Sequence, residues 1–204
     1  MVMTIARAIV LAAVLVLLAA PVYAADCNNG GRYEDLSDGT VQDCRTGLIW
    51  LKEVKCNNTF GGITPNASGN LNWASAKGWV AALYDTGSPA TSCGLSDGSV
   101  AGDWRLPTKT EWMAMVAYAK KQGYSPSLTD GTGVAQWTSA SGIFANLESN
   151  DYYWSYTQHP TFSGSAMLVW MFDGSVTDAF KTNLYHIWPV RGGQSGSFGY
   201  VSIH

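Results

Sequence analysis

The chain has 204 residues, of which only 13% are charged, with 15 acidic against 12 basic and a formal net charge of −3. This balance speaks against nucleic acid as a partner, because such binding rests on neutralising many phosphates with Lys and Arg. The surface is left to Ser, Thr, Asn, Gly and aromatic edges, a composition that suits neutral polar ligands.

At the start, Arg7 precedes an almost unbroken apolar run from Ala8 to Ala20. Pro21 follows, and then Val22 and Ala24 at the small-residue positions of a cleavage site. This is the pattern of a secretory signal over residues 1–24. An uncleaved anchor is the alternative, since a span needs about 20 mainly apolar residues. Export places the protein in the periplasm, at the cell surface or in the medium, with no membrane span left after cleavage. Asp26 argues against lipid attachment at Cys27. Residues 25–193 fit one domain with a full core, and 194–204 read as a Gly/Ser-rich tail.

The four cysteines, Cys27, Cys44, Cys56 and Cys93, form an even set in an oxidising compartment, so two disulfides are expected. Three pairings are open, and Cys27–Cys44 with Cys56–Cys93 is favoured. A zinc site is the weaker reading, because no two cysteines stand at C-x₂₋₄-C spacing.

Leu48 to Leu51 reads as a short strand. From Asn72 to Leu83, Trp73, Ala76, Val80 and Leu83 recur at helical spacing behind a capping Asn. A sharper helix starts at Thr108, which forms a T-x-x-E capping box with Glu111. Trp112, Met115, Val116 and Ala119 give it one apolar stripe, and Gly123 can end it. Gly123 to Asp151 has no apolar period. Tyr152 to Thr157 is an aromatic strand, Ala166 to Phe172 and Ser175 to Phe180 form a hairpin across Asp173-Gly174, and His186 to Arg191 is a final strand. That last strand is expected to join the meander, with Pro189 at an edge or a bulge. Short antiparallel strands beside two separate helices give an α+β domain.

Asp-Gly-Thr/Ser recurs at Asp38, Asp97, Asp130 and Asp173 with irregular spacing. Tight turns are the preferred reading over calcium ligation, and no cofactor is assigned. Of the nine tryptophans, Trp73 and Trp112 lie on helix stripes, and Trp50, Trp154, Trp170 and Trp188 lie on strands, where core packing is expected. Trp137 stands apart in the irregular segment.

Four segments carry a resemblance: DGTVQDCRTGLIWLK (Asp38 to Lys52), GDWRLPTKTEWMAM (Gly102 to Met115), YYWSYT (Tyr152 to Thr157) and DGSVTDAFKTNLYHIWPVRGG (Asp173 to Gly193). Together they resemble the Lcl C-terminal domain family, long catalogued as a domain of unknown function. The WRLPT-x-x-E element is also similar to the helix start of formylglycine-generating enzymes. That likeness implies a C-type-lectin-like fold, with two helices packed on a small twisted antiparallel sheet with long loops.

Catalytic motifs are poorly represented: no H-E-x-x-H, G-x-S-x-G or P-loop occurs. His159, His186 and His204 all read as structural first. Formylglycine-generating relatives use a cysteine pair ahead of an Arg-Gly-Gly motif. This chain keeps Arg191-Gly192-Gly193 but has no cysteine after Cys93, so that activity is not carried over. Carboxylate pairs such as Glu148 with Asp151, or Asp173 with Asp178, are the residues a glycoside-processing site would need. The resemblance implies recognition at a cell surface, of a glycan or a surface protein. A structural or assembly role in an envelope appendage is the alternative. The expected ligand surface combines the Gly123–Asp151 segment with the loop from Tyr156 to Ser165, and its candidate residues are Trp137, Tyr152, Tyr156 and His159.

Overall fold

The computed structural model describes residues 26–192; the expected signal peptide and Gly/Ser-rich tail lie outside them. A four-stranded sheet has the order β1-β2-β3-β9 and a five-stranded sheet the order β4-β8-β5-β6-β7. The first is formed by β1 (Tyr33–Asp35), β2 (Thr40–Asp43), β3 (Leu48–Leu51) and β9 (Val190–Gly192). The second is formed by β4 (Asn70–Leu71), β5 (Tyr152–Gln158), β6 (Ser165–Trp170), β7 (Ser175–Phe180) and β8 (Tyr185–His186). Two helices, α1 (Trp73–Ala82) and α2 (Lys109–Gln122), complete an α+β domain.

Local chemistry sets both helix starts. Asn72 accepts a hydrogen bond from the Ser75 amide, and α1 buries Trp73, Ala76, Trp79 and Val80. At α2, Thr108 Oγ1 accepts from the Glu111 amide while the Glu111 carboxylate accepts from the Thr108 amide at 2.7 Å, a reciprocal capping box. Arg105 adds a two-pronged ion pair to the same carboxylate, at 2.7 and 2.6 Å. Burial opposes ionisation of Glu111, yet Arg105 and the Thr108 amide outweigh it and hold its pKa below the ordinary carboxylate value. Gly123 ends α2 at φ 73°, a left-handed conformation that an L side chain rarely adopts.

The turn reading of the Asp-Gly motifs holds at all four positions. Asp38, Asp97, Asp130 and Asp173 each accept from the amide two residues on, and the first three also accept from that residue's hydroxyl. Both favoured disulfides are formed, with Cα separations of 5.3 Å for Cys27–Cys44 and 5.5 Å for Cys56–Cys93. Cys27, Glu34 and Cys44 bring three ligand-type atoms together, but both sulfurs are spent in the disulfide.

Two expectations need correction. The single small antiparallel sheet is in fact two sheets, and β5 and β8 run parallel where they pair. The final strand is also divided. β8 joins the five-stranded sheet, residues 187–189 cross over, and β9 pairs with β3 in the other sheet. Pro189 lies in the crossing, where its missing amide donor is no loss and its carbonyl accepts from Leu51. The meander β5-β6-β7 is as expected.

Thr108→Ala is expected to lower unfolding free energy by about 1 kcal/mol, read as a shift in denaturant midpoint at unchanged slope. Thiol titration of the unfolded, unreduced protein should find no free cysteine. Reduction should remove about 3 kcal/mol for the shorter loop and about 4 kcal/mol for the longer one.

Candidate functional site

The segment after α2 returns to the end of β3 and is fastened there by backbone bonds. The Val54 amide donates to Ala145 O at 3.0 Å, and the Ala145 amide donates to Lys52 O at 2.9 Å. Asn146 Nδ2 reaches both carboxylate oxygens of Glu53, at 3.0 and 2.9 Å. Between this segment and the residues following β3 lies a cleft of about 530 Å³. Trp137, Ile143 and Phe144 supply apolar lining, and Lys52, Lys55, Asn146 and Glu148 supply polar groups.

Both lysines are already paired. Lys52 Nζ is 2.5 Å from Asp35, and Lys55 Nζ is 2.6 Å from Glu148. Burial opposes ionisation of Asp35, but the bonds from Lys52 and the Ser37 amide prevail and depress its pKa. The pairs are partly exposed, so they add little to stability. Their consequence is a cleft whose cations are locally compensated, with an aromatic wall and fixed polar groups around it.

Trp137 is 7% exposed and belongs to the hydrophobic core as well as to the cleft wall. Its indole lies against Gly142, where a Cβ would collide with the ring. The other three expected residues lie elsewhere. Tyr152 stacks on Trp170 with centroids 5.6 Å apart and meets Tyr185 edge-on. Tyr156 and His159 belong to the far end of β5 and the loop beyond it. His159 Nδ1 accepts from the Thr161 and Phe162 amides, so its ring organises a turn. Neither Tyr156 nor His159 is among the residues that line the cleft with Trp137. Lys52, Lys55 and Asn146 went unnoticed as site residues, and Glu148 was noted only in a carboxylate pair with Asp151, because only the fold brings these four residues to one cleft.

Below the cleft, Lys55 and His186 both come close to Gly69. His186 is 2% exposed, and its Nε2 is 3.0 Å from Asp151 Oδ2. Burial lowers the imidazole pKa from its ordinary 6.5, with Lys55 adding to the effect and Asp151 and Glu148 opposing it. The neutral ring donates from Nε2 to Asp151 and packs on Tyr153, whose hydroxyl donates to Glu148 O. One wall of the cleft is thus tied to β8 through neutral histidine.

Two outcomes follow from these placements. Trp137→Ala should destabilise the fold by about 3 kcal/mol or more, measured by chemical denaturation, because a buried indole is removed. The second concerns pH. The unfolded chain takes up the His186 proton near 6.5, whereas the folded chain does so only at lower pH. Stability should therefore fall as pH drops below about 6.5, until the folded ring itself titrates. His186→Gln should flatten that part of the stability profile; an unchanged profile would exclude this linkage.

The model of the Lcl C-terminal domain matches residues 39–191, so the chain belongs to that family. No curated protein matches the chain.

Proposed function

We propose that this member of the Lcl C-terminal domain family is an exported, non-catalytic binding domain, and that its cleft takes a segment of glycan presented at a cell surface. The observation that carries this reading is the composition of the cleft: aromatic and apolar lining beside Asn146 and two ion-paired lysines. A sugar ring offers an apolar face and a rim of hydroxyl groups, and such a wall complements both. Because each lysine has its own carboxylate, the ligand class is neutral or weakly charged rather than polyanionic.

The two disulfides support an oxidising location. Among the described residues no helix is long and apolar enough to cross a membrane. Two helices with two small sheets and a long irregular segment are compatible with a C-type-lectin-like fold, which we adopt as part of this proposal.

Engagement of the acidic side chains supports a non-catalytic reading. Glu148 is held by Lys55, Asp151 by His186, and Asp173 by its own turn, so each of these groups has a structural partner. A formylglycine-type oxidation lacks its cysteine pair, since Cys93 is the last cysteine of the sequence. No cofactor, calcium included, is assigned.

A glycan array probed with the exported protein should give a restricted set of neutral or singly acidic glycans. Ser139 lines the cleft and is exposed, so Ser139→Trp should fill it without disturbing the core. Loss of array binding at unchanged melting temperature is the expected result. Full binding by Ser139→Trp, or an array with no retained glycan, would overturn the assignment and favour the role of an assembly subunit in an envelope appendage.

A further inference from the structure

The far end of the five-stranded sheet has a different chemistry from the cleft. Phe162 and Phe180 are 66% and 69% exposed, and Tyr156 and Leu184 are each about half exposed, at 50% and 51%. Large apolar side chains left in water at this density mark an interaction surface. The segments that carry them are adjacent: the Lys181 amide donates to Gly164 O, the Trp73 amide donates to Lys181 O, and the Asn183 amide donates to Phe180 O. The loop after β5, the end of β7 and the start of α1 therefore form one end of the molecule. A groove of about 500 Å³ is lined by Phe162, Phe180 and the small residues between them in space, Ser163, Gly164 and Ser165.

Charge around these side chains is one-sided. Residues 72–82, 155–166 and 179–184 contain Lys77, Lys181 and His159 but no Asp or Glu. Asp178 is the carboxylate that lines the groove. The Lys77 ammonium lies 4.3 Å from the Trp73 ring and 5.0 Å from the Tyr156 ring. Lys181 Nζ lies 4.5 Å from the same Trp73 ring, and it donates to Gln158 Oε1 and to Ser163 O. Among the described residues neither lysine has a carboxylate partner. This contrasts with Lys52 and Lys55 at the cleft.

We infer that this end is a docking face for an anionic lipid surface, with Phe162 and Phe180 entering the interfacial layer and Lys77 and Lys181 meeting the headgroup phosphates. The charge decides among occupants. A second copy related by a two-fold axis would bring these uncompensated cations together, which is unfavourable. A soluble polyanion would satisfy the lysines and leave the two protruding phenyl rings in water. An anionic bilayer satisfies both at once, since apolar side chains partition into the acyl boundary while cations stay at headgroup level.

The test is co-sedimentation of the exported protein with vesicles of phosphatidylcholine and phosphatidylglycerol in equal parts, and with vesicles of phosphatidylcholine alone. Binding is expected to the mixed vesicles, about tenfold stronger than to the neutral ones and weakened by salt. Phe162→Ser combined with Phe180→Ser should reduce it by about tenfold or more. Lys77→Gln should reduce it by about fivefold. Both replaced phenylalanines are exposed, so circular dichroism should show an unchanged melting temperature. Equal binding to both vesicles, undiminished binding by the double serine variant, or retention of a soluble sulfated polysaccharide without vesicle binding would each overturn the inference.

Discussion

The ring of Trp188 meets Phe144, Trp50, Trp112 and Tyr153 at centroid distances of 4.8, 5.3, 5.8 and 5.9 Å, and the architecture turns on this contact. Trp188 stands in the crossing between β8 and β9, the point where the chain leaves one sheet for the other. Its neighbours come from β3, α2, β5 and the cleft segment, so one side chain touches both sheets, a helix and the loop that shapes the site. Aromatic pairs in such tilted and edge-on arrangements contribute about 0.5–1.5 kcal/mol each beyond the area they bury. The polar atoms are also accommodated: Trp188 Nε1 donates to Leu51 O, and Trp112 Nε1 donates to Trp154 O. Each indole therefore ties a β-strand backbone to the core as well as filling space. Because Phe144 belongs to the same cluster, the cleft inherits its shape from the centre of the protein.

A second fastening holds the N-terminal strands to α2. Arg32 and Asp43, both buried, form an ion pair at 2.7 Å, and the same guanidinium donates to the carbonyls of Ala114 and Met115. Burying such a pair costs desolvation, so its value lies less in net stability than in requiring one arrangement of the elements it joins. Any other register of β1 against α2 would leave a charge uncompensated in the interior. The Cys27–Cys44 disulfide closes the same corner, since Cys44 follows Asp43 directly and its amide donates to Arg32 O.

These two fastenings explain what could be read from the residues and what could not. Features set by neighbours in sequence were legible: the Asn72 cap, the Thr108–Glu111 box, the left-handed stop at Gly123 and the Asp-Gly turns. So was β3, an apolar run whose burial needs no further information. β1 and β2 were not, because Tyr-Glu-Asp and Thr-Val-Gln-Asp carry too little apolar period, and their placement depends on Arg32 reaching Asp43 and α2. The division of the last strand at Trp188-Pro189 depends on a core that forms only in three dimensions. The cleft was the least legible feature. Its fastenings, Lys55 with Glu148 and Glu53 with Asn146, each join residues 93 positions apart. Trp137 was singled out for its sequence context and does line the cleft, yet it is also a core residue. Tyr156 and His159 were grouped with it only because the irregular segments on either side of β5 were read as one surface.

β5 itself orders the two faces of the molecule. Glu148 and Asp151, just before the strand, belong to the cleft and its support, while Tyr156 near its end and His159 beyond it belong to the aromatic and cationic end. The strand runs from one region to the other, and the intervening Tyr153 and Trp154 are locked in the core. A surface engaged at the far end would therefore leave the cleft at the other end of the strand, open to what lies beyond that surface. The contrast in lysine chemistry follows the same division. Lys52 and Lys55 are ion-paired beside the cleft, whereas Lys77 and Lys181 lie against aromatic rings with no carboxylate partner among the described residues. The two cation environments thus belong to different parts of the fold, one following β3 in the four-stranded sheet and the other on α1 and at the end of β7 beside the five-stranded sheet.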